Sequence, residues 1–198
     1  MTMNQLFGDF KEEIIANHKL FMMDFFIHSI PLERRKQTRY LFIAFITDYL
    51  ATLFPVAEDD IKSYQRQLQM KSAVTYIANE LLENSIKFHH ETVKYPINIG
   101  VCFIEETLVF VASNCASEKT LDNFKNFVYE LTTSDSNELY FRQLEKGAEE
   151  KSEESRLGLL SMINDYSAKL GWKIETVNKD PEITTITTMV QLTTELTS

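Results

Sequence analysis

The segment from Glu58 to His89 limits what this chain can fold into more than any other stretch. Glu58, Asp59 and Asp60 stand where a helix start favours negative charge, and helical periodicity follows to about residue 89. At about 100° per residue, Val74, Ile77, Ala78, Leu81, Ser85 and Phe88 share one face, while Glu80, Asn84 and Lys87 fall within about 60° on its margin. A helix of this kind has to bury its apolar face against another layer, which leaves its polar margin bordering any cleft beside that layer. The three margin groups suit a metal-bound polyphosphate: an amide oxygen can ligate Mg²⁺, an ammonium can meet phosphate, and a carboxylate can orient or deprotonate a nucleophile. Spacing alone is also satisfied by an ordinary exposed helix edge.

The rest of the chain supplies the layer. Residues 1–18 read as helical, and the aromatic-rich run from Leu20 to Ile30, ended by Pro31, reads as an edge strand or a buried helix. A helix is expected over about residues 38–54, stopped by Pro55. Ile97 to Ile104 and Leu108 to Ser113 form a hairpin around Glu105, Glu106 and Thr107. Helices follow at about 119–132 and 136–150, and the charged stretch Lys146 to Ser155 reads as a mobile connection. Leu159, Met162, Ile163, Tyr166 and Leu170 share one helical face that Gly171 terminates, before strands at Trp172 to Val177 and Ile183 to Leu192. The expected architecture is α+β, a two-layer sandwich with helices on one face of a mixed or antiparallel sheet. Residues 1–55 form an N-terminal extension packed on the core, and 56–198 form the main domain.

Composition narrows the function. A net charge of −9 opposes binding to a phosphate backbone, so nucleic acid is not an expected partner. The one short basic cluster, Arg34, Arg35 and Lys36 with Arg39, reads as a solvated helix start. The longest apolar stretch, Tyr40 to Phe54, is too short for a membrane span and contains Asp48, and the first thirty residues lack a secretory pattern. These features point to a cytoplasmic protein with no membrane association. Cys102 and Cys115 lack metal-site spacing and read as core residues. His89 and His90 read as a helix cap or surface pair, and His18 and His28 are isolated. No GxSxG elbow, Walker A loop or HExxH motif occurs.

The run Asn79-Glu80-Leu81-Leu82-Glu83-Asn84-Ser85-Ile86-Lys87-Phe88 resembles the N-box of the GHKL, or Bergerat-fold, histidine-kinase-like ATPases, whose pattern is ELxxNAxK. The order of elements from about residue 59 onward is also similar to that fold. More narrowly, the chain resembles the SiaB-type small bacterial regulatory proteins common in cyanobacteria. The resemblance implies Glu80 as general base, Asn84 as Mg²⁺ ligand and Lys87 as phosphate contact. It also implies ATP with Mg²⁺ as cofactor and Ser/Thr phosphorylation of a small anti-sigma-antagonist-like partner as the activity.

Two motifs depart from that family. Where its D-x-G places an Asp that reads the adenine amino group, Val109 to Ser117 offers Ser113, Asn114 and Cys115; Asn114 can bond a base through its amide. The glycine-rich lid is reduced to Arg156-Leu157-Gly158-Leu159-Leu160, leaving Arg156 and the helix start after Gly158 as the phosphate contacts. Altered phosphate motifs in a retained fold open a second reading: a pocket for FAD in a flavin-based blue-light or redox sensor, with Tyr76, Tyr166 and Trp172 as stacking or electron-donating aromatics. A third reading is a ligand-free partner-binding module. Residues 20–54 carry more apolar bulk than an accessory segment needs, which leads us to expect a homodimer.

Overall fold

The computed structural model describes residues 4–58, 60–90, 92–150, 157–179 and 182–194. In chain order the elements are β1 (Asn4–Gly8), α1 (Glu12–Asn17), β2 (Phe21–Phe25), a 3₁₀ turn (Ile27–Ser29), α2 (Leu32–Ala51), α3 (Ile61–Lys87), β3 (Ile97–Ile104), β4 (Thr107–Ala116), α4 (Glu118–Thr133), α5 (Ser136–Glu150), α6 (Leu157–Tyr166), β5 (Lys169–Lys179) and β6 (Glu182–Thr193). All five strand pairings are antiparallel, and the six-stranded sheet runs β1-β5-β6-β4-β3-β2. No helix among the described residues is long and apolar enough to cross a membrane.

Side chains alternate across the sheet with period two. Leu108, Phe110 and Ala112 of β4 join Ile97, Ile99, Ile174, Ile186 and Val190 in the main core, which α2, α3, α4, α5 and α6 cover. Val109 and Val111 point the other way and meet Met189, Phe10 and Ile14 of α1. The helices are therefore concentrated on one face, with α1 a small cover on the other. Three contacts fasten that cover: Gln191 Nε2 donates to the Asp9 carbonyl at 2.7 Å, Asp9 N donates to the Leu170 carbonyl at 2.9 Å, and Lys173 bridges Glu12 at 3.1 Å and Glu175 at 2.8 Å.

α3 forms as its periodicity predicts. The Asp60 side chain caps it by accepting from Lys62 N at 3.0 Å, and Met70, Val74, Ile77, Ala78, Leu81, Leu82 and Ser85 are buried. The β3–β4 hairpin turns at Glu105 and Glu106, with Glu105 at φ 54°. The run after Leu20 is the edge strand β2, paired with β3 from Phe21↔Val101 to Phe25↔Ile97. α2 starts at Leu32, earlier than expected, because Pro31 is a natural N-terminal boundary; the basic cluster occupies its first turns.

Two expectations fail for tertiary reasons. Residues 4–8 are not helical: they pair with β5 from Asn4↔Glu175 to Gly8↔Gly171, a partner about 170 residues away that local pattern cannot reveal. Gly171 does not terminate a helix. α6 ends at Tyr166, Ser167 makes the turn at φ 52°, and Leu170 and Gly171 lie within β5. A Cβ on Gly171 would overlap the backbone of Phe10, so glycine is needed there for close approach. The N-terminal 55 residues supply both edge strands of the sheet as well as α2, which packs on α3. Residues 136–150 are helical as expected; 151–155 of the charged stretch lie outside the described residues.

Candidate functional site

A narrow cleft opens where the apolar side of α3 leaves the sheet. Leu81, Asn84, Ser85 and Phe88 of α3 form one wall, Asn114 of β4 with Ile186 and Thr188 of β6 form the floor, and Phe124, Phe127 and Leu159 close the other side. It is open to solvent at its mouth and tight between its walls. The lining is mostly apolar, with a few convergent polar groups, the general make-up of small-molecule pockets.

Asn84 and Asn114, thirty residues apart in sequence, come together here. The side chain of Asn114 is buried, and its Nδ2 donates to the carbonyl of Cys115 at 3.2 Å. That bond fixes the amide orientation, because only the nitrogen can donate to a carbonyl, and it leaves Oδ1 as the acceptor. On the opposite face of the sheet, the Ser113 and Thr187 hydroxyls share a hydrogen bond of 2.6 Å across β4 and β6.

Glu80 does not line this cleft. One turn earlier on α3, it lies against Gly158 in the first turn of α6, so closely that a Cβ on Gly158 would overlap the Glu80 carboxylate. Burial pushes the Glu80 carboxyl above its usual range and the charge of Glu83 adds to the rise, while Arg39 and a hydrogen bond with Asn79 oppose it. Arg39 is itself engaged with Glu83 at 2.7 Å. Lys87 is exposed, with its ammonium 5.4 Å from the centre of the Phe88 ring, at the rim rather than in the cleft. Arg156 lies outside the described residues.

The structure thus divides the expected residues. Asn84 and Asn114 share the cleft; Glu80 and Gly158 share a separate junction where α3 crosses α6. Sequence reasoning missed Phe124 and Phe127 as cleft walls, although their i, i+3 spacing on an amphipathic α4 marks an inward face. It also missed Thr188, whose only signal is a polar residue on the inward face of β6.

The three aromatics considered for a flavin lie elsewhere. Tyr76 stacks on Tyr166 at 5.2 Å between α3 and α6, and burial raises its phenol against an opposing hydrogen bond with Ser161. Trp172 is buried in the core, edge-on to Phe124 at 6.4 Å. Cys102 is half-buried and Cys115 buried, and burial pushes both thiols up. His89 is buried past the end of α3 instead of lying on the surface. It lines another, more open pocket with His28, Arg35, Ile27 and Ile86, the two histidine rings 6.2 Å apart. Among the described residues no three His, Cys, Asp or Glu side chains converge as a metal site. No protein-family model matches this sequence, and neither characterised proteins nor solved structures include one detectably similar to it.

Proposed function

We propose that this chain is a nucleotide-binding regulatory switch of the histidine-kinase-like type, and that the cleft between α3, α4 and the sheet takes the adenine ring. The observation that carries the reading is the convergence of Asn84 and Asn114 on one apolar-walled cleft. The Asn114 oxygen is an acceptor suited to an exocyclic amino group, the task an Asp performs in the family that the Glu80 to Phe88 run resembles. Phe88, Leu81 and Phe124 supply the flat apolar surfaces a purine needs.

The polar end fits an intact ATPase less well. Asn84 can offer an amide oxygen to Mg²⁺; among the described residues no carboxylate lines the cleft, so phosphate oxygens and water would supply further ligands. With Gly158 packed on Glu80, that carboxyl is not placed to accept a proton from a nucleophile. Binding therefore precedes catalysis in this proposal: the closed form recognises nucleotide. Phosphorylation of a small anti-sigma-antagonist-like protein would require α6 to move off Glu80.

The test is titration of the full chain with ATP and Mg²⁺, followed by calorimetry and thermal shift. Binding that weakens by about tenfold in Asn114→Ala and in Asn84→Ala, and stays unchanged in Glu80→Gln, supports the proposal. Absence of any ATP-induced shift overturns it. A yellow flavin spectrum after incubation with FAD would then assign the cleft to a flavin sensor, and binding of neither ligand would assign the chain to the ligand-free interaction modules.

A further inference from the structure

The sheet ends on β2, a five-residue strand that pairs with β3 on one side and with no strand of the described residues on the other. Natural edge strands are usually guarded by lysine, proline or a covering segment. β2 carries none of those residues. Its one charge, Asp24, accepts a hydrogen bond from Asn98 Nδ2 at 2.7 Å within its own sheet, and Phe21 and Met22 are 38% and 49% exposed.

α2 runs beside this edge in the opposite direction. Phe25 meets Phe42 edge-on at 4.8 Å, and Phe21 lies against Tyr49 at 5.4 Å and Phe45 at 5.9 Å. One face of α2 is in the core through Phe42, Ile43, Ile46 and Leu50. The neighbouring stripe, Leu41, Phe45 and Tyr49 at i, i+4 and i+8, is exposed at 66%, 50% and 44%. A bare strand edge and an aromatic stripe are therefore continuous.

We propose that a second copy of this chain docks here about a two-fold axis, pairing β2 with its own copy and α2 with its own copy, so that two six-stranded sheets become one. The argument is geometric. Two identical strands pair antiparallel about a two-fold axis, the overlap being longest when the axis passes through their midpoint, and the same holds for two identical helices packed antiparallel. The midpoint of β2 is Met23 and that of the stripe is Phe45. The ring contacts place these two residues at the same level, because Phe21 sits over Phe45 and Tyr49 while Phe25 sits over Phe42. One axis thus satisfies both elements.

Surface area supports the same occupant. Complete burial of Phe21, Met22, Leu41, Phe45, Tyr49 and Leu53 would remove roughly 600 Å² per copy, the lower end of the ~600–1,000 Å² per partner that a specific interface buries. Charge gives a signature. Each copy carries −9, so two copies repel at long range and salt should tighten the pair; a basic protein on the same surface would be released by salt.

Light scattering on the full chain tests this. The expected mass is twice 23.0 kDa, firmer as salt rises, with Phe45→Glu weakening self-association by about a hundredfold while the circular dichroism spectrum is unchanged. A second measurement does not depend on disruption. In a Cys102→Ser background, Phe45→Cys should form a disulfide-linked dimer on mild oxidation, whereas Tyr129→Cys, 67% exposed on α4, should not. A monomer at all concentrations, a dimer untouched by Phe45→Glu, a dimer released by salt, or equal cross-linking at both positions would each overturn the proposal.

Discussion

Asn84 and Glu80 lie one turn apart on the same edge of α3, yet their surroundings differ in kind. Asn84 looks into a cleft with apolar walls and a second amide across it, whereas Glu80 is pressed under the first turn of α6 by a glycine with no room for a side chain. The first environment is open to solvent at its mouth. The second is already filled by the chain itself, and its carboxyl is driven toward the protonated form by burial. A helix edge that reads as one constellation in sequence is, in three dimensions, an open half, which the proposal makes the recognition half, and a closed half, because β4 and β6 lie across from one turn while Gly158 of α6 covers the other.

The largest effect should come from removing the cleft wall. Phe127 is 2% exposed, and Phe127→Ala should cost about 3–5 kcal/mol and lower the melting temperature by roughly 10 °C. An unchanged melting curve would mean the recognition half is not part of the core. Next is the closed half: Gly158→Ala should cost about 1–2 kcal/mol because the new methyl displaces the Glu80 carboxylate. In a Glu80→Ala background the same change should be neutral or gain up to about 1 kcal/mol from helix propensity. Simple additivity in denaturant melts would sink the idea that these two residues share one space.

Smaller effects distinguish the halves by ligand and by pH. Asn84→Ala should weaken ATP binding at least fivefold more than Glu80→Ala does, about 1 kcal/mol of difference. Equal losses in calorimetry would erase the contrast. Glu80→Gln should stabilise the fold by less than about 1 kcal/mol at neutral pH. The sign follows from the raised carboxyl: the folded chain holds this proton more tightly than the unfolded chain does, so stability is fullest below the unfolded value of 4.5 and declines as pH rises through the folded one. The advantage of the Gln variant should therefore vanish in melts below pH 4.5.

Where a segment's partner is near in sequence, or its periodicity is long, the sequence announces it. α3, with 27 residues and the Asp60 cap, and the β3–β4 hairpin are of this kind. β1 is not, because its strand character is conferred by β5. Gly171 misleads because a glycine that ends a helix and a glycine that lets Phe10 pass look the same in one dimension. In the candidate site, a resemblance to a known motif singled out Asn84 and Asn114 and the structure joins them. Neither spacing nor motif could indicate that Gly158 lies on Glu80, since that contact depends on the crossing of two helices seventy residues apart.

The register between Asn4–Gly8 and β5 has a consequence for synthesis. β1 has no partner until β5, about 170 residues later, has been made, and β5 in turn needs β6 to join it to the centre of the sheet. The two hairpins, β3–β4 and β5–β6, can close locally and early. The segment from Asn4 to Phe10 must wait, and it then completes the sheet's edge and lays α1 over the back of β4 and β6. β1 is thus the last strand of this sheet to find its place, and a nascent chain halted before residue 169 would carry it unmatched.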